Sequence, residues 1–126
     1  MAGNKTPEAG DSKMTIEESL LSALEVFEIP VEAEIYQGDA EKYIVFNYTS
    51  NPDNFADDTP QNERYLIQVH LYASPGSNTR ELQQKIKKAL FETGISWPQR
   101  EDASDQYWQH IVFECEYVGE IDYGEG

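Results

Sequence analysis

Ile16, Leu20, Leu21, Leu24 and Phe27 recur at three- and four-residue spacing, which places them on one face of an α-helix. Thr15 followed three residues later by Glu18 is a capping box, in which hydroxyl and carboxylate each satisfy a backbone N–H at a helix start. Pro30 halts the run, so the pattern predicts a first helix over residues 15–28. The period then drops to two. Residues 33–36 and 43–48 are rich in aromatic and β-branched side chains, and Gln37-Gly38-Asp39-Ala40 between them predicts a hairpin.

Residues 64–73 alternate cleanly, with Tyr65, Ile67, Val69 and Leu71 on one face and Leu66, Gln68, His70 and Tyr72 on the other. Asn78 as N-cap, Glu81 three residues on and Gly94 past the end bracket a second helix whose buried stripe is Leu82, Ile86, Ala89 and Leu90. A last strand covers residues 107–118, with Ile111, Phe113, Cys115 and Tyr117 inward and His110, Glu114 and Glu116 outward. A short strand at residues 95–97 also fits. Residues 98–106 (PQREDASDQ) are polar and without period, which leaves the path into the last strand open.

Residues 49–63 show neither period, and their prolines, aspartates and lone Phe55 predict a long mobile loop. Residues 1–13 read as a disordered leader, native or added, with Met14 or a residue upstream as the natural start. Residues 119–126 read as a flexible acidic tail. The predicted unit is a single domain over residues 14–118. Its fold class is α+β, a two-layer sandwich of two helices on one face of a mainly antiparallel or mixed sheet of four to five strands.

Charge changes what this domain can be expected to bind. The 126 residues carry 24 Asp and Glu against 9 Lys and Arg, a formal net charge of -15. Lys5 and Lys13 balance Glu8 and Asp11, so the excess belongs to the domain rather than the leader. Binding nucleic acid through phosphates needs clustered cations, and an anionic membrane needs the same. Aromatic residues at 12% are too many for a disordered acidic chain. One cysteine, Cys115, excludes an internal disulfide framework and fits a reducing compartment. No apolar run approaches the roughly 20 residues that span a bilayer, and no signal-peptide pattern opens the chain, which points to synthesis and assembly in the cytoplasm.

Candidate chemistry is sparse. His70 and His110 lack metal-ligand spacing, and Asp53, Asp57 and Asp58 lack the pattern of a calcium loop. Both histidines fall on polar strand faces, as surface or interface residues do. Cys115 alternates with Phe113 and Tyr117, the position of an inert core thiol. No nucleophile motif or glycine-rich phosphate loop occurs, so no catalytic, cofactor or metal residue is assigned. What does stand out is helix two, where Arg80, Lys85, Lys87 and Lys88 concentrate four of the nine basic residues. On so acidic a protein this reads either as a solvated face or as a docking ridge for an acidic surface, another copy included.

Four segments in this order, IEESLLSAL, YIVFNYTSNPDNFADDTPQNERYLIQVHLYA, SNTRELQQKIKKALFETGI and YWQHIVFECEY, carry a family resemblance. The chain resembles the tail-completion and tail-terminator proteins of long-tailed bacteriophages and prophages over roughly residues 14–118. The marks are Phe46-x-Tyr48, the Ala56-Asp57-Asp58 segment, the strand from Tyr65 to Tyr72, and Gly94-Ile95 before the final strand. The resemblance implies no enzyme. It implies a virion protein, assembled in the bacterial cytoplasm, that caps the head-proximal end of the tail tube as a ring of six and joins tail to head.

Its partners would be further copies of itself, the tail tube protein and a head-completion protein, with genomic DNA passing through unbound. Phe55, Asp57 and Asp58 in the loop would dock on the tube, ordering on assembly, and Arg80, Lys85, Lys87 and Lys88 would meet a neighbouring subunit. Glu114 and Glu116 facing inward would repel DNA phosphates. Self-repulsion should hold the isolated protein monomeric at low salt. Competing expectations are an acidic interaction module or nucleic-acid mimic, a head-completion or minor tail role on the same fold, and a small enzyme.

Overall fold

The computed structural model describes residues 15–56 and 59–120, with the side chains of residues 53–61 and 120 outside that description. The elements are α1 (Ile16–Leu24), a 3-10 turn (Glu25–Phe27), β1 (Val31–Ala33), β2 (Lys42–Ala56), β3 (Thr59–Ala73), α2 (Arg80–Glu92), β4 (Gln99–Asp102) and β5 (Gln109–Glu120). They form one five-stranded sheet in the order β1-β2-β3-β5-β4, with β1 parallel to β2 and the other pairs antiparallel. This is the α+β arrangement of two helices and a mixed sheet.

Alternation decides which face of the sheet is covered. Ile44, Phe46, Ile67, Val69, Leu71, Ile111, Phe113 and Cys115 point to the helices and are buried with Leu20 and Leu24 of α1 and Ile86 and Leu90 of α2. The capping box at α1 is present in full, with Thr15 Oγ1 accepting from Glu18 N–H at 3.1 Å and Glu18 Oε1 accepting from Thr15 N–H at 3.0 Å. Helix α2 ends at Gly94, whose φ of 101° is the left-handed geometry that favours glycine. Its N-cap is Thr79 rather than Asn78. Asn78 Oδ1 instead accepts from Arg80 N–H at 3.3 Å.

The expected hairpin of residues 33–36 with 43–48 is corrected to a parallel pair, Val31–Ala33 beside Ile44–Phe46. The chain reverses at Glu34, where φ is 71° and Ile35 N–H reaches Ala33 O at 2.8 Å, a tight γ-turn. Residues 34–41 then return alongside the sheet and re-enter it as β2. Tyr36 anchors the return, accepting from Ala40 N–H at 3.0 Å and lying so close to Gly38 that a Cβ there would meet its hydroxyl at 2.2 Å.

The loop predicted over 49–63 is also corrected. One register holds from Lys42↔Ala73 to Ala56↔Thr59, so this segment is the distal half of a long hairpin. Asp57 and Asp58 lie outside the described residues. Backbone parity explains how Pro52 fits in a strand. Ile44 N–H donates to Pro30 O and Phe46 O accepts from Glu34 N–H, so even-numbered residues of β2 aim their backbone groups away from β3. Pro52 occupies such an outward position, where the missing N–H costs the β2–β3 ladder nothing. Two smaller corrections concern the end of the chain. Residues 95–97 form no strand, whereas residues 99–102 within the polar stretch pair with β5 as an exposed edge. Strand β5 runs to Glu120, two residues into the predicted tail. Residues 1–14 and 121–126 lie outside the described residues.

Candidate functional site: the uncovered sheet face and its extension

The helices cover one face of the sheet and leave the other bare, and opposed residues arrange that bare face in rows across the strands. Tyr43, Tyr72 and His110 form one row, and Val45, His70, Val112 and Glu101 the next. Asn47, Gln68, Glu114 and Gln99 follow, then Thr49, Leu66 and Glu116, then Asn51, Arg64 and Val118. The face therefore changes along the strands from aromatic to polar and acidic.

The first two rows are stacked rings. Tyr36 lies on Tyr43 at 4.3 Å between centroids, Tyr43 on Tyr72 at 4.9 Å, and Tyr72 on His110 at 4.2 Å. Trp108 meets Tyr43 edge-on at 5.5 Å. Asp105 holds the indole there, because its Oδ1 accepts from the N–H groups of Tyr107 and Trp108, both at 2.8 Å. Those two bonds pull the Asp105 carboxyl below its ordinary value. Walls formed by residues 34–36 on one side and Trp108 on the other bound a cavity of about 320 Å³ above Val45.

His70 and His110, expected as surface or interface residues on different strands, are bonded to each other, Nδ1 to Nε2 at 2.9 Å. Asn47 Nδ2 approaches His70 Nε2 at 3.2 Å. An amide N–H only donates, so His70 Nε2 accepts, its proton sits on Nδ1, and that N–H donates to His110 Nε2. In that tautomer both rings are neutral. Burial is the largest cause holding both below the ordinary 6.5, His110 adds to it for His70, and Glu114, Asp105 and Asp102 oppose it.

A depressed imidazole pKa means that the unfolded chain binds more protons just below pH 6.5, so the pair stabilises the fold above that value and loses this as pH falls towards the folded-state value. Relative to a His70→Gln/His110→Gln variant, the wild type should lose thermal midpoint between about pH 7 and pH 5, followed by circular dichroism. Parallel curves for the two proteins would refute it.

Beyond the histidines the face becomes a groove of about 750 Å³ lined by Asn47, Thr49, Leu66, Gln68, Glu114 and Glu116, with Ser96 and Trp97 at its rim. Leu66 and Trp97 are 42% and 48% exposed. Glu114 Oε2 accepts from Gln68 at 3.0 Å, and Glu116 pairs with Arg64 at 2.7 Å. Here the sheet narrows to three strands. Strand β1 stops beside Phe46 and β4 beside Ile111–Glu114 of β5, so residues 47–56, 59–67 and 115–120 extend past both flanking strands. By the same parity Tyr48 and Ser50 aim their N–H and C=O groups outward, where no strand among the described residues pairs with them. Such an edge is a template for another chain.

The expected interface residues fall in two places. Phe55 lies in β2 opposite Pro60, near the tip of the extension, and Asp57 and Asp58 follow it outside the described residues. Arg80, Lys85, Lys87 and Lys88 lie on α2, in the other layer. Lys85 is already engaged with Glu81 at 3.1 Å, while Arg80, Gln84, Lys87 and Lys88 recur as an outward ridge. Cys115 is buried, its thiol pushed up to about 12 by burial, which is an inert core position. Among the described residues no group of three or more His, Cys, Asp or Glu is placed to hold a metal. No helix among them is long and apolar enough to cross a membrane.

The uncovered face, long hairpin and exposed edge sit on a fold that recurs in solved structures. One solved structure of an unnamed protein matches with a TM-score of 0.59 at 10% identity, covering 92% of this chain and 99% of the other. At that identity the likeness concerns the fold alone. No protein-family model matches the sequence, and no curated protein matches it.

Proposed function

We propose that this protein is a structural subunit of a bacteriophage virion, which closes the head-proximal end of the tail tube as a ring and offers the surface on which the head joins. The observation that carries the reading is the three-stranded extension, whose outer β2 edge presents the backbone groups of Tyr48 and Ser50. A subunit that must add to the end of a tube needs a preformed, directional edge of this kind. The sequence resemblance supplies the setting. Because the hairpin is paired along its length, docking on the tube uses a built edge rather than a loop that orders on contact.

Ring copies, the tube protein and a head-completion protein are the partners in this reading, and it involves no catalytic step. Gold-labelled antibody against this chain, viewed on intact virions by electron microscopy, should mark a single position at the junction of head and tail. Label along the tube, on the head shell or absent from the virion would overturn the proposal.

A further inference from the structure

We infer that copies of this chain meet head to tail, the α2 ridge of one seated in the groove on the bare sheet face of the next. The inference rests on the ring reading above, to which it adds the two surfaces that touch. The ridge is Arg80, Gln84, Lys87 and Lys88, spaced i, i+4, i+7 and i+8 on the side of α2 opposite buried Ile86 and Leu90. Four of the chain's nine cations lie on this helix, and Lys85, bonded to Glu81, stands to one side of the ridge.

The groove supplies the complement. Leu66 and Trp97 give it an apolar contact surface, and Glu114 gives it charge, Glu116 being paired with Arg64 at 2.7 Å. Glu114 is bonded to the neutral amide of Gln68, so among the described residues no cation neutralises it. A lysine arriving from outside fills that role, and on a chain of net charge -15 cationic ridges are scarce. A second copy brings one without calling on any other protein.

Geometry then fixes the kind of assembly. Helix α2 packs on one face of the sheet and the groove opens on the other, so the two patches lie in opposite layers. Patches so placed suit a heterologous contact better than a two-fold one. Each copy uses both patches with different neighbours, which produces a ring where the rotation closes and a filament where it does not.

Two charge-reversed proteins test this, Lys87→Glu/Lys88→Glu and Glu114→Lys/Glu116→Lys, with far-UV circular dichroism confirming that each folds. Should the second misfold, Glu114→Gln/Glu116→Gln replaces it for the loss of self-association. Wild-type protein diluted from millimolar to micromolar in an NMR tube should shift amide resonances at both the α2 ridge and the groove. Each reversed variant should self-associate at least about tenfold more weakly by sedimentation. Mixed in equal amounts the two Lys/Glu reversals should associate again, because each then carries the complement of the other.

Dilution shifts confined to one patch or missing from both, undiminished association of either variant, or a mixture that stays dissociated would overturn the inference. A groove made for some other protein would give unshifted resonances and so counts against it. Virion location is read on particles, so the ring proposal stands or falls by a separate measurement.

Discussion

Phe46→Ala should lower the free energy of unfolding by about 3–5 kcal/mol, measured by urea denaturation. The ring is fully buried at the centre of β2, opposite Val69 of β3 and Ala33 of β1, and belongs to the cluster that α1 and α2 close over. Its removal leaves a cavity walled by a sheet on one side and two helices on the other, elements that cannot collapse into it without breaking register. For a domain whose total stability is about 5–15 kcal/mol, this is a large share. Phe91→Ala is the contrast, because that ring is 53% exposed and touches Trp97 at the surface. Its loss should cost under about 1 kcal/mol. Equal effects of the two substitutions would mean that the interlayer core is not where the fold is held.

Ser50→Pro should leave the fold intact and abolish joining of tails to heads. Ser50 lies on the outward-facing parity of β2, as Pro52 already does, so proline there removes a donor from the exposed edge and none from the β2–β3 ladder. Thr49→Pro is the control one residue away. Its N–H belongs to the inward set facing Leu66, and proline there breaks the ladder and destabilises the hairpin. The account expects Ser50→Pro to melt within a few degrees of wild type while infectious particles fall by orders of magnitude. Normal particle yield from a folded Ser50→Pro protein would show that this edge is not the docking element.

The elements whose pattern repeats over four or more residues were legible in the chain. Alternation in residues 64–73 and 109–118 and the helical stripes of α1 and α2 identify the buried sheet face almost residue by residue, because burial on one side is what produces the period. Three features escaped. The parallel β1 depends on a γ-turn at Glu34, and a glutamate at positive φ gives no sequence signal of the sort glycine gives. Among the described residues of the distal hairpin, 49–52 and 62–63, none is buried to impose alternation, and its prolines read as breakers when one of them sits on an outward edge. The His70–His110 bond joins residues forty positions apart through strand register alone. Their shared polar parity was visible in the sequence, but not that β3 and β5 are neighbours.

The site was legible in a similar measure. Cationic α2 can be read from composition, whereas the groove formed by Leu66, Trp97, Glu114 and Glu116 draws on β3, β5 and the chain after α2. Only the sheet order brings these together. The acidic outward positions of β5 were visible from alternation, and the bare face on which they stand follows from both helices packing on the same side.

Electron microscopy of lysates from cells infected with phage lacking only this protein tests the central claim most directly. The account predicts tail tubes of irregular length without heads beside filled heads without tails. Tails of normal length joined to heads in the absence of this protein would contradict it.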